Sequence, residues 1–211
     1  MKKGILFDLD GTLWDSAEQV VKAWNEILDT HYPELSHRIT VEELHGYMGK
    51  TLDEIGRLMF PDLEEEKCSQ VMRECCDHEN AYLAKHGGIL FDGVREMLEQ
   101  LSKKYSLYIV SNCQAGYIEC FLAYYGLEKY FEDHECPGGT GLGKGDNNRI
   151  IIERNHLDKA VYVGDTQGDM ESADYAEIPF IHAAYGFGSV DRDTEKIHAP
   201  LELVELADKL L

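Results

Sequence analysis

The sequence predicts an α/β fold: a doubly wound, mostly parallel sheet carrying a small all-helical insertion near its start. Three observations predict it. The run Lys3 to Leu9 is short and almost continuously apolar, as a strand buried on both faces must be. From about residue 88 onward, short β-branched runs alternate with amphipathic stretches, the pattern of a sheet covered on both sides. Between them, residues 17 to 85 contain no strand-like run.

In chain order, the first strand ends in Asp8-Leu9-Asp10-Gly11-Thr12, and helical signals follow. Ser16 with Gln19, Thr40 with Glu43 and Thr51 with Glu54 have capping-box spacing, in which each side chain satisfies the other residue's backbone N–H. Behind the first, Val20, Val21, Trp24, Ile27 and Leu28 recur on one helical face. After His86-Gly87-Gly88, Val94 to Leu101 predicts a helix and Leu107 to Val110 a strand ending in Ser111-Asn112. Helices are predicted over Tyr117 to Tyr125, Arg149 to Asn155 and Leu201 to Leu210. Strands are predicted over Ala160 to Val163, ending at Gly164-Asp165, and over Phe180 to Ala183. Crossings near Trp14-Asp15 and at Gly87-Gly88 divide the chain into a sheet domain (1–14 and 88–211) and a helical domain (15–87).

Composition narrows the function. A chain of 211 residues can hold one sizeable core and a smaller domain. Its mean hydropathy of -0.36 and the lack of an apolar run of roughly 20 residues argue against a membrane span. Asp8 and Asp10 interrupt the apolar start before a signal-peptide core forms, so a cytoplasmic location is expected. The six cysteines form no CxxC pair and the nine histidines no HExxH, so zinc is not expected and the cysteines are expected as thiols. A net charge of -20 repels nucleic acid and anionic membranes. An anionic substrate would then need a metal ion or a few local cations to be held at all. The sequence carries no mark of an oligomeric state.

The candidate chemistry lies just past strand ends, where α/β proteins place their sites. Asp8, Asp165 and Asp169 together offer the oxygen ligands that a hard ion such as magnesium prefers. Asp10, two residues on in extended chain, lies on the same side as Asp8. One carboxyl can attack phosphorus while the other exchanges protons.

Asp8-Leu9-Asp10-Gly11-Thr12-Leu13, Ser111 with Asn112, Lys144, and Gly164-Asp165-Thr166-Gln167-Gly168-Asp169 stand in the order of four motifs. The chain thereby resembles the haloacid dehalogenase superfamily of phosphohydrolases, over nearly its whole length. The resemblance implies a Rossmann-like core with a helical cap, Mg2+ as cofactor, and a small soluble phosphate ester as substrate. It implies Asp8 as nucleophile and metal ligand, and Asp10 as general acid/base that also offers its backbone carbonyl to the metal. Ser111 and the Asn112 backbone would bind phosphate, and Lys144 would steady both phosphate and Asp8. Asp165 would be a direct ligand, and Asp169 a ligand or a partner of ligands.

His45 to Leu52 resembles the specificity loop of phosphoglycolate-phosphatase-like relatives and makes Lys50 a candidate substrate contact. Val20 occupies the place of a histidine carried by β-phosphoglucomutases, which favours a hydrolase over a mutase. A non-catalytic binding protein is a further alternative, opposed by the presence of every motif carboxylate. Gly138 to Gly145 nearly fits a nucleotide-binding P-loop, but Gly145 replaces its Ser or Thr, and Glu132 to Pro137 makes a poor strand. The glycine run is read as a loop delivering Lys144. Cys113 is read as a buried thiol, and Trp14 and Trp24 as packing groups.

Overall fold

The computed structural model describes residues 1–211. Its central sheet has six parallel strands, β1 (Lys3–Phe7), β4 (Ser106–Val110), β5 (Phe131–Glu135), β6 (Lys159–Gly164), β7 (Phe180–Ala183) and β8 (Glu195–Ile197). They stand in the order β5-β4-β1-β6-β7-β8. The order of connection reverses at β1, which pairs with β4 on one side and β6 on the other. Successive β1 residues enter two different cores. Ile5 and Phe7 join the larger cluster, with α5 (Val94–Leu101), α6 (Tyr117–Tyr125) and α10 (Glu202–Leu210). Leu6 joins a smaller one, with Ile151 of α8 (Lys144–Arg154) and Met170 and Ala173 of α9 (Gln167–Tyr175). Burial on both faces explains why this strand reads as unbroken apolar sequence.

After β1, a tight turn at Gly11 (φ +86) leads into β2 (Trp14–Asp15), which pairs antiparallel with β3 (Ile89–Leu90). Between these two short strands lie α1 (Ala17–His31), α2 (Val41–Tyr47), α3 (Leu52–Met59) and α4 (Glu65–His86). The apolar face of α1 packs along α4. Capping boxes form at Thr40 with Glu43 and at Thr51 with Glu54, as the spacing predicts. The one expected at Ser16 does not form, because its hydroxyl is engaged elsewhere.

Two further expectations fail for physical reasons. The segment Glu132 to Pro137, read as a poor strand, falls largely in β5 (Phe131–Glu135): it lies at the sheet edge, where charged side chains can stay in solvent. Arg154 there pairs with Asp133 and Glu135. The α8 helix begins at Lys144, five residues before its predicted start at Arg149, because its first turn is the polar Lys-Gly-Asp-Asn. A four-residue helix α7 (Pro137–Thr140) precedes it. No helix is long and apolar enough to cross a membrane.

Candidate active site

Parallel strands bring their carboxyl ends to one edge, and the four motif segments meet there. The Asp8 amide donates to the Val163 carbonyl at 2.8 Å, so sheet pairing holds the chain right up to the candidate nucleophile. The Lys144 ammonium, on the first turn of α8, lies 2.8 Å from Asp8 Oδ1 and 2.6 Å from Asp169 Oδ1. All three groups are buried. The glycine run expected as a loop is mostly helical: Pro137–Thr140 forms α7, only residues 141–143 connect it to α8, and Lys144 sits at the start of α8.

Asp169 is fixed by a capping box that the sequence reading passed over. As the third residue of α9 it accepts through Oδ2 from the Asp165 amide, the Thr166 amide and the Thr166 hydroxyl, at 3.2, 3.0 and 2.7 Å. With Lys144 on Oδ1, both of its oxygens are engaged. Asp165 differs. Its Oδ2 accepts the amides of Phe187 and Gly188 at 2.8 and 3.1 Å, while its Oδ1 is buried without a partner.

Three buried carboxyls thus face one ammonium. Burial pushes the Asp8 carboxyl well above the usual range, helped by the Asp169 charge and opposed by Lys144. Burial and Asp169 raise Asp165 to about 7, against the pull of the Phe187 and Gly188 amides. Burial disfavours the Lys144 charge, but Asp169 and Asp8 outweigh it and hold its pKa well above the ordinary value. One oxygen from each of Asp8, Asp165 and Asp169 lies within 4.8 Å of the others. An all-oxygen, net-negative set with one orphaned oxygen fits a hard divalent cation. The free Asp165 Oδ1 suits direct ligation, whereas Asp169 is already committed to orienting its neighbours.

Asp10 has its own support. Its Oδ1 accepts from the Ser16 hydroxyl at 2.6 Å and from the Tyr117 hydroxyl at 2.8 Å. The Tyr117 and Ser16 hydroxyl oxygens lie 2.8 Å apart. The bond to Asp10 is the engagement that draws Ser16 away from helix capping. Burial raises Asp10 to about 6, and the two hydroxyls restrain the rise.

The helices of the insertion roof a chamber over these groups, lined on the sheet side by Asp8, Asp10, Ser111 and Lys144. The chamber is small and partly open to solvent. Asn112 reaches across to the insertion, donating through Nδ2 to the Gly49 carbonyl at 3.0 Å. The exposed Lys50 lines the chamber beside it, and so does the apolar side chain of Val20. Trp14 is buried against Tyr117, Phe121 and Tyr125, while Trp24 lines the chamber rather than serving only to pack. Cys113 is buried, and burial pushes its thiol well up, so it is no ready nucleophile.

Two groups in this chamber were not singled out from sequence, Tyr117 and Glu79. Glu79 had a visible signal. Met72, Cys76, Glu79 and Leu83 follow one another at helical spacing on α4, and all four are buried. A carboxylate on an apolar stripe is costly enough to call for a reason.

Carboxylates at parallel strand ends, a lysine ammonium from the start of α8 among them and a helical roof above form a site compatible with a divalent cation. The profile of the haloacid dehalogenase-like hydrolases matches residues 5–183, and the chain belongs to that family. It is 28% identical to a phosphoglycolate phosphatase of Vibrio parahaemolyticus over 200 residues, 88% of this chain and 85% of that one. It is 27% identical to the pyrophosphatase PpaX of Listeria innocua over 177 residues, 82% and 79% of the two chains. A haloacid dehalogenase-like family protein from Streptococcus pneumoniae shares the fold, with a TM-score of 0.83 over 98% of both chains at 22% identity.

Proposed function

We propose that this hydrolase is a Mg2+-dependent phosphatase that cleaves a small soluble phosphate monoester through an aspartyl-phosphate on Asp8. The observation that carries the proposal is the Asp8 carboxyl at the β1 end, hydrogen-bonded to Lys144 and grouped with the unpartnered Asp165 Oδ1. Asp8 and Asp165 would hold the ion, with Asp10 contributing its backbone carbonyl and Asp169 fixing the set. Bound there, the ion supplies charge neutralisation for the phosphoryl oxygens. The similarity to a phosphoglycolate phosphatase and to a pyrophosphatase supports a small phosphorylated substrate.

The residues account for both half-reactions. An Asp8 oxygen bonds to phosphorus as the ester P–O bond breaks, and protonated Asp10 gives its proton to the leaving alcohol oxygen. Asp10, now ionised, takes a proton from water as the water oxygen attacks the aspartyl-phosphate. Phosphate leaves, and both carboxyls return to their starting states. Lys144 balances the charge on Asp8 and the phosphoryl group, while the Ser111 hydroxyl and the Asn112 backbone N–H bind its oxygens. Residues 15–87 act as a cap that excludes bulk water and selects the alcohol, with Lys50 at hand for contact with substrate. The protein works in the cytoplasm on this reading.

The test is hydrolysis of an aryl phosphate with and without Mg2+, with an acid quench and mass analysis of the peptide bearing Asp8. Expected are magnesium-dependent turnover, a phosphorylated peptide, and loss of both in Asp8→Asn by about a thousandfold or more. Turnover that Asp8→Asn leaves intact would sink the proposal.

A further inference from the structure

We infer that the alcohol released from the phosphate carries an ammonium group seated on Glu79, so that the substrate is an aminoalkyl phosphate. This rests on the phosphatase reading above and names its substrate class.

Glu79 is 3% exposed and lines the same chamber as Asp8, Asp10 and Lys144. It has no ion pair. Its partners are neutral: the Trp24 indole N–H donates to Oε2, and the Gln114 side chain lies within hydrogen-bonding reach. If the role of Glu79 were only to accept that indole proton and tie α1 to α4, an amide oxygen would do it at less cost. A buried carboxyl without a cation is what a cationic ligand completes, since the pair then forms where water is excluded.

The rest of the helical wall agrees. Val20, Leu44, Met48, Leu52 and Ile55 are apolar, and the one cation on that side, Lys50, is exposed. A second anionic group placed deep in the chamber would meet Glu79 and a hydrocarbon wall. An aminoalkyl chain instead lays methylenes on that wall, puts its cation on Glu79 and leaves its phosphate on the sheet side. The net charge of -20 also favours a ligand that carries a positive end.

Matched phosphonates separate the possibilities without turnover. Binding of aminoethylphosphonate and propylphosphonate to the Mg2+-loaded protein is measured by calorimetry; the two differ only by ammonium against methyl. Expected is about tenfold or more tighter binding of the amine, with the ratio falling close to one in Glu79→Gln. Equal affinity for the pair, or tighter binding of carboxymethylphosphonate than of the amine, overturns the inference. The wild-type comparison decides even if the variant does not fold. Failure of aryl phosphate hydrolysis would instead remove the phosphatase reading, and the binding ratio would still judge Glu79.

Discussion

Replacing Lys144 with Met keeps the unbranched stem out to Cε and removes the charged Nζ between Asp8 and Asp169. The two contacts are 2.8 and 2.6 Å long, and the side chains involved are 4%, 5% and 0% exposed. At an effective dielectric of about 20, each contact has a gross attraction of roughly 6 kcal/mol, most of it offset by desolvation. Losing one partner of a buried pair nets about 3–5 kcal/mol of destabilisation, a large part of the stability of a typical domain. The sign with pH follows from Asp8, whose folded pKa is already raised. Such a carboxyl contributes fully below its unfolded pKa and loses that contribution as pH rises through the folded value. Without Lys144 the folded value moves higher still, so the gap from wild type widens toward alkaline pH and narrows toward acid. The assay is urea unfolding of chelator-treated protein at about pH 5 and about pH 8, with equal slopes checked for both proteins. A variant within about 1 kcal/mol of wild type at the higher pH would refute the claim that Lys144 holds the carboxylates together. Added magnesium should recover part of the loss, because ion binding to the folded state adds stability by mass action.

Two further outcomes are expected. Glu79 is raised by burial from 4.5 to about 8, so its contribution is whole below about pH 4.5 and drains away as pH rises through 8. Its neighbours Asp10, Tyr117, Trp24, Gln114, Cys75, Cys76 and Cys120 include no cationic group. Glu79→Gln should therefore gain on wild type across that window, by on the order of 4 kcal/mol at most; parallel stability–pH curves would count against it. In Gly186→Ala the new Cβ would lie 2.7 Å from Asp165 Cγ and crowd the Gly11 carbonyl. The expected results are about 1–3 kcal/mol of overpacking cost and loss of the magnesium-induced rise in Tm. A full rise in the variant would mean that Asp165 is not held as described.

The sequence by itself determined the four strands β4, β1, β6 and β7 of the sheet and the carboxylates at their ends, but neither β5 nor β8. Apolar runs such as Lys3 to Leu9 are long enough to be recognised, and a strand buried on both faces leaves a composition that surface structure does not mimic. Asp8, Asp10, Ser111 and Asp165 follow such strands directly, so their place at the sheet edge is local information. Lys144 was legible only through the order of the motifs, since no apolar periodicity marks the start of α8. The edge strand β5 was hidden because its charged side chains meet solvent rather than core.

Tertiary structure alone decided which partner each polar group chose. Ser16 has the spacing of a helix cap, yet its hydroxyl donates to the Asp10 carboxyl six residues back, which Tyr117, about a hundred residues further on, also holds. Asp165 and Asp169 look equivalent in sequence. Folding leaves one with a free oxygen and closes both oxygens of the other. Glu79 shows the same division, since helical spacing puts it on the buried stripe, but only the packing of α1 against α4 turns it toward the chamber. Spacing along a chain fixes the faces of its elements; the partners a polar side chain finds depend on contacts between elements far apart in sequence, and these exist only once the core has closed.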